Sequence, residues 1–255
     1  MLFRSGGTPK LKLCQISFRY LTLPDMAATT TSPDPASDLG PGLGPGSDPG
    51  SEPPVRRVPT QARSRRRVER ILAAAERLVV EMGVEALSTR DVARVAEVPV
   101  ASLYQYFADK EDVLLALAER DMAEMDEQVA ADVAALPSLD LPALVRATIG
   151  AFVAVYRRRP AFVVIYLRGR TNTALAQYGR VHNARLAASL REVALAAGLC
   201  DERLTGQIAE LAVEVGDRMM QLAYEHRLDG DPLLVEETIV MLTAYLERFA
   251  TAGAA

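Results

Sequence analysis

The stretch LSTRDVARVAEVPVASLYQYFADKEDVLLAL, residues 87–117, decides the architecture. Ser88 and Asp91 stand three apart and form an S-x-x-D cap, with Leu87 in front as a staple residue. A short helix runs from this cap through Val92 and Ala93 to about Ala96. Four residues then break the pattern: Glu97, Val98, Pro99 and Val100. A second short helix carries Ala101 to Phe107, and Asp109 caps a long helix containing Val113, Leu114, Leu117 and Met122. Leu103 and Phe107 are four apart and face inward with Val92, Ala93 and Val98. Val100, Ala101, Ser102, Tyr104, Gln105 and Tyr106 are left facing out. Two short helices across a tight break, carried on longer ones, make a helix-turn-helix. A helix fits the major groove and its N-terminal side chains meet base edges. The outward tyrosine hydroxyls are placed for phosphates.

Working outward, the preceding segment is a helix: Val68, Ile71, Leu72, Ala75, Leu78, Val79 and Met82 recur at steps of three and four, and Gly83 supplies a stop. Ahead of it lies a basic lead-in of Arg56, Arg57, Arg63, Arg65, Arg66, Arg67 and Arg70, read as an arm for phosphate or minor groove. Residues 27–60 are dominated by Pro, Gly, Ser and Asp, with too few apolar side chains to offset ordering entropy. The expectation is a disordered tail over 1–60, with Met26 a candidate start. Beyond Pro137 and Pro142, helices are expected near 141–158, 160–168, 172–197, 202–227 and 231–251. Pro160 and Pro232 suit first turns, and Gly198 and Gly230 suit stops. No period-two segment of useful length occurs, so the chain reads as all-α.

Composition agrees. The 255 residues are 49% apolar and only 5% aromatic, with no Trp, so the core is mostly aliphatic. The net charge of −4 hides an asymmetry: residues 55–110 carry 11 basic and 7 acidic side chains, residues 111–255 carry 14 and 21. A compact basic segment on an acidic body implies a polyanion-binding module. Two cysteines, Cys14 and Cys200, exclude a disulfide framework, and two histidines, His182 and His226, leave little for a metal or catalytic site. There is no phosphate-binding Gly loop, nucleophile–His constellation or Glu-x-x-His pair, so no enzyme and no cofactor are expected. No apolar run approaches a membrane span, and the first 25 residues lack a signal-peptide h-region, so a cytoplasmic protein is expected.

On these residues the segment resembles the DNA-binding domain of the tetracycline-repressor (TetR/AcrR) family of bacterial regulators. The most specific piece is Leu103-Tyr104-x-Tyr106-Phe107-x-x-Lys110 after the Val92-Ala93 pair. The detailed match covers about 66–120. Beyond the tail, the resemblance implies two parts: a helix-turn-helix domain over 61–108 and a helical ligand-binding and dimerisation domain over 109–255. It implies a homodimer on a pseudo-palindromic operator, most simply a repressor released by a small hydrophobic molecule. Ser88, Thr89, Arg90, Tyr104, Tyr106 and Lys110 fall where the family touches phosphates. Val100, Ala101, Ser102 and Gln105 fall where it reads bases. The departure is in the turn: the usual Ala-Gly-Val-Ser is Ala96-Glu97-Val98-Pro99, without the Gly and without the serine cap. The alternative reading is a nucleoid or division factor of the same fold with no effector. A ligand-induced melting shift separates the two.

The body offers two further sets of candidates. Phe152, Tyr156, Phe162, Tyr166 and Tyr178 are expected to line a pocket, with His182 on the same apolar face as Tyr178, either at the ligand or as a satisfied core residue. Each of the last two helices carries two apolar stripes. In 202–227 the stripe Leu204, Ile208, Leu211, Val215, Met219 and Leu222 is expected to face the subunit's own core. Ala209, Val213, Gly216 and Met220 are expected to face a twofold partner, their small side chains allowing close approach. In 231–251 the partner stripe is Leu234, Thr238, Met241 and Tyr245.

Overall fold

The computed structural model describes residues 62–169 and 172–251. The tail expected over 1–60, with Arg56 and Arg57 of the arm, lies outside these residues. Ala62–Ala86 forms α1, Thr89–Val95 α2 and Val100–Leu103 α3. Lys110–Ala134 forms α4 and Leu141–Arg158 α5. Pro160–Phe162 is a single turn, α6, followed by a π-helical segment, Val163–Arg168. Thr173–Ala196 is α7, Gly206–Tyr224 α8 and Pro232–Leu246 α9, continued by a 3₁₀ turn over Glu247–Phe249. Among the described residues there is no β-strand; an isolated antiparallel bridge pairs Cys200 with Ala250.

Capping chemistry sets most of the boundaries. Asp109 accepts from the Asp112 N–H at 2.9 Å and Asp140 from the Ala143 N–H at 2.7 Å. Thr205 and Asp231 cap α8 and α9 in the same way, each satisfying a donor that the first helical turn leaves open. Gly83 breaks α1 internally with φ 81° and ψ 171°, so the predicted stop is a kink and the chain resumes helix to Ala86. The arm residues Arg63, Arg65, Arg66, Arg67 and Arg70 stand on α1 itself. A charge run and a helix start are compatible, because Arg is a good helix former.

The predicted helix over 160–168 differs from the structure. After α6 the backbone widens into the π segment, which packs between α1 and α8. The apolar core is continuous across the head and body: Ile71, Val92, Leu103 and Phe107 belong to one cluster with Val113, Leu117, Tyr156, Phe162 and Tyr224. A second cluster, around Val129, Leu141, Leu186, Val193 and Leu204, fills the far end of the body. No helix of the described residues is long and apolar enough to cross a membrane.

Candidate nucleic-acid interface and apolar cavity

Ser88 caps α2 as its spacing predicts. Its hydroxyl oxygen accepts the Asp91 N–H at 3.2 Å, and the hydroxyl donates to the Asp91 carboxylate at 2.6 Å. That bond, helped by Arg94, holds the Asp91 carboxyl below its ordinary value. The Ser88 side chain is therefore engaged within its own cap. Thr89 and Arg90 stand beside it, Arg90 exposed. The Thr89 hydroxyl lies 3.0 Å from the Tyr104 hydroxyl, which ties the start of α2 to the end of α3 and puts two of the hydroxyls expected at phosphates side by side. Lys110 reaches back to the Val84 and Glu85 carbonyls, 3.5 Å from each. There it supports the end of α1, where a cation meets the carbonyl-rich terminus favourably.

The second helix is shorter than the sequence predicts. It ends at Leu103, and Tyr104–Tyr106 form a tight turn in which the Tyr106 and Phe107 N–H groups both donate to the Leu103 carbonyl. The tightening lets Leu103 and Phe107 both bury. Val100, Ala101, Tyr104 and Gln105 are exposed and Ser102 half-buried, but Gln105 projects from the turn and not from the helix. Tyr106, expected to face out, is half-buried and packs against the core cluster.

The turn without its glycine is made by strain and a tie. Glu97 takes φ 53°, a left-handed conformation that costs a non-glycine residue about 1–2 kcal/mol. The Arg70 guanidinium holds it there. Its Nε donates to the Ala96 carbonyl at 3.0 Å, and Nη2 donates to the Ala96 carbonyl and, at 2.6 Å, to that of Glu97. Arg70, grouped by sequence with a nucleic-acid arm, is thus a structural strut between α1 and the turn. Pro99 sits at the N-cap position of α3 with no side-chain cap.

Behind the head lies an ionic junction. Arg120 on α4 bonds Glu76 of α1 at 3.0 Å and its neighbour Asp121. Arg159, at the α5–α6 joint, bonds Glu124 at 2.8 Å and reaches Glu76 and Asp121. Asp121 is fully buried, and one of its oxygens has no hydrogen-bond partner. Burial raises its pKa to about 6 against the pull of Arg120 and Arg159. Arg120 and Arg159 thus join α1, α4 and the α5–α6 joint.

In the body the aromatic residues and the cavity part company. An apolar cavity of about 730 Å³, counted with its open mouth, lies between α5, α7, α8 and α9. Of the residues expected to line a pocket, Phe152 lines this one, and Tyr166 borders a separate, more polar pocket with Arg180 and Asn183. Tyr156, Phe162 and Tyr166 are core: Phe162 stacks on Tyr166 at 5.3 Å, and Tyr156 meets Tyr224 edge-on at 5.0 Å. Tyr166 lies so close to Gly179 that a Cβ there would sit 2.6 Å from its ring. Tyr178 packs half-buried against the same core. His182 is buried and 2.8 Å from the Asp126 carboxylate, a satisfied core residue. Adjacent aromatics on internal helices met one another before they met a cavity. The sequence reading missed the aliphatic lining from α8 and α9, whose small residues signal space as well as close approach.

The same small residues correct the partner faces. Ala209 and Gly216 line the cavity, and a Cβ on Gly216 would lie 3.0 Å from Leu242 of the same chain. Met220 and Thr238 are fully buried, the Thr238 hydroxyl donating to the Leu234 carbonyl at 2.7 Å. Val213 and Tyr245 are half-buried. Ala209, Val213, Gly216, Met220 and Thr238 face their own subunit, while Tyr245 meets Phe249 edge-on. The stripe expected inside is divided: Leu204 is buried and Ile208 packs on the second cluster, whereas Leu211 is 51% exposed, with Val215 and Leu222 also exposed along α8. On α9 Leu234 and Met241, Met241 at 54%, are exposed as expected, together with Leu233 and Val240.

A sequence profile described as "Bacterial regulatory proteins, tetR family" matches residues 71–117, and one described as "Tetracyclin repressor-like, C-terminal domain" matches residues 140–246. A TetR-family transcriptional regulator from Streptomyces coelicolor is 31% identical over 72% of this chain and 98% of its own, with a TM-score of 0.59. The fatty acid degradation regulator FadR from Bacillus halodurans shares the fold at 17% identity and TM-score 0.57, over 69% of this chain and 94% of its own. FadR from Bacillus subtilis, solved with stearoyl-CoA, shares it at 19% identity and TM-score 0.51, over 69% and 98%. No curated protein matches the chain in sequence.

Proposed function

The chain belongs to the tetR family of bacterial regulatory proteins, DNA-binding transcriptional regulators and not enzymes, and from that premise we propose a cytoplasmic repressor that binds a pseudo-palindromic operator as a homodimer and is released by a small hydrophobic molecule. Residues 61–108 act as the reading head and 109–255 as the effector and dimer body. Val100, Ala101, Ser102 and Gln105 meet base edges. Thr89, Arg90, Tyr104 and Lys110 meet phosphates, with Ser88 and Tyr106 contributing less because their side chains are engaged inside the head.

The observation that carries the reading is the bare apolar face of α8 and α9. Leu211, Val215, Leu222, Val240 and Met241 are exposed on two neighbouring helices. A contiguous apolar face of this kind marks an interaction surface. A second copy covers it with the same residues and sets two heads on one face of the duplex. The cavity supports release by a ligand, since its apolar lining and its place between four helices suit a small molecule. It touches α5, α7, α8 and α9 but not α4, so its influence reaches the head through α5, which packs along α4, and through the π segment between α8 and α1. A hundredfold loss of operator affinity needs about 2.7 kcal/mol of coupling.

The test is paired. Val215→Glu with Met241→Glu is expected to leave helical content unchanged, to give a monomer by sedimentation, and to lower operator affinity at least a hundredfold. A double variant that stays dimeric places the partner elsewhere. One that is monomeric yet binds the operator with undiminished affinity removes the homodimer from the reading.

A further inference from the structure

The cavity's lining is specific enough to name a ligand class. Its walls are aliphatic, including Leu144, Ile149, Leu190, Ala212, Leu242 and Leu246, with Phe152 the one aromatic ring. Ring stacking is therefore a minor resource, which disfavours a flat polycyclic ligand. Along α8 the lining runs from Ala209 to Asp217, about 12 Å at 1.5 Å per residue. Polar groups are few, and most are engaged. The Thr148 hydroxyl donates to the Leu144 carbonyl at 2.9 Å. Asp217 accepts from the Gln221 amide at 2.9 Å, and that amide's oxygen accepts from Arg218.

Arg191 is different. It lines the cavity and is partly open to solvent, its side chain 26% exposed. Its Nε donates to the Leu204 carbonyl at 2.6 Å, which fixes the guanidinium in place. Its Nη2 donates at 2.9 Å to Glu202, whose side chain is 87% exposed. An exposed ion pair of this kind contributes little and exchanges readily. A guanidinium has five N–H donors in a fork suited to a carboxylate, and these bonds use two. Arg191 is thus a cation pre-positioned beside an apolar cavity, with a displaceable carboxylate standing in for an anion.

We propose that this cavity takes a long unbranched aliphatic carboxylate, its tail between α5, α7, α8 and α9 and its head on Arg191 in place of Glu202. The proposal rests on the regulator reading given above and names its ligand class. A cationic amphiphile, drawn to Asp217 instead, is the competing outcome.

The experiment compares three probes with matched tails, kept below micelle-forming concentration: dodecanoate, dodecan-1-ol and dodecyltrimethylammonium. Calorimetric titration of the full chain is expected to show dodecanoate at least tenfold tighter than the alcohol, and the cation weakest. Arg191→Gln is expected to bring dodecanoate within twofold of the alcohol and leave the alcohol unchanged. Glu202→Gln, on an exposed side chain that folding does not need, is expected to tighten dodecanoate severalfold, and Ala212→Phe to weaken all three probes at least tenfold. Tightest binding by the cation, an anion preference that survives Arg191→Gln, or no binding by any probe overturns the proposal. Operator affinity without ligand is measured in parallel. A chain that binds duplex but not dodecanoate fails here alone, whereas a chain that binds no duplex fails the regulator reading itself.

Discussion

The head is held by short polar ties across a small core, whereas the body leaves an apolar cavity at its centre and bare apolar helices at its surface. Arg70 on the turn, Ser88 on α2, Thr89 against Tyr104 and Lys110 on the end of α1 each lock one part of the head to another. The body carries a π-helical turn, an open-mouthed apolar cavity, and exposed Leu211, Val215 and Met241. The contrast teaches where each demand is met. Base reading needs side chains fixed to a fraction of an ångström, so the head is over-determined. On the proposed reading, a response to a ligand needs an alternative packing close in free energy, for which the body's space and irregular turn leave room.

The largest expected effect breaks the boundary between the two. Tyr156 is fully packed against Phe162 and Tyr224 in the core that head and body share. Tyr156→Ala is expected to cost about 3–5 kcal/mol of stability, read by denaturant melting, and not to alter ligand affinity selectively. A variant of normal stability with a selective loss of ligand binding would move Tyr156 back to the cavity.

Removing the strut comes next. Arg70→Ala takes away charge-assisted bonds to two carbonyls and leaves Glu97 strained, a loss of about 2 kcal/mol. Operator affinity is expected to fall at all sequences alike, because α3 loses its placement and not a base contact. If the variant melted normally and only its salt dependence changed, Arg70 would belong to the phosphate contacts after all.

The ionic junction gives a pH signature. Folding raises Asp121 from 3.8 to about 6, so the native state holds this proton more tightly than the unfolded chain. Stability from this group is complete below about pH 4 and is lost as pH rises toward 6. Two units at 1.36 kcal/mol each bound the loss at roughly 3 kcal/mol. Depressed carboxyls such as Asp91 and Glu124 slope the other way, so the difference between wild type and Asp121→Asn is what isolates the effect. That difference is expected to grow from pH 4 to 6; a flat difference would refute the raised value.

The smallest effect sharpens the head. Glu97→Gly relieves the left-handed strain at φ 53° and is expected to add about 1 kcal/mol of stability, with operator specificity unchanged. A loss of stability would mean that the Glu97 side chain makes a contribution its exposed position does not suggest.

How much was legible follows the same division. Ser88, Asp91, Asp109, Leu103 and Phe107 could be read because caps and inward apolar pairs are local and have one solution. The left-handed turn was legible only as a missing glycine. That Arg70 rescues it, across 27 residues of sequence, left no local mark. In α8 and α9 apolar residues occupy both sides, and periodicity cannot say which side meets the chain's own core. Ala209 and Gly216 were read as close approach to a partner, and the close approach is to Leu242 and the cavity wall. The aromatics misled for a related reason: an internal tyrosine fills core as readily as it lines a pocket.

The central claim is that the exposed edge of α3 and its following turn read duplex DNA twice, once per subunit. The most direct measurement is selection of bound duplexes from a random pool by the full chain, repeated with Gln105→Ala. The account predicts a pseudo-palindrome with half-sites about one helical turn or a multiple of it apart, and for Gln105→Ala a relaxed preference at one symmetric pair of positions, worth about 1–3 kcal/mol. No enriched sequence, a single unrepeated half-site, or the same site recovered unchanged with Gln105→Ala would contradict it.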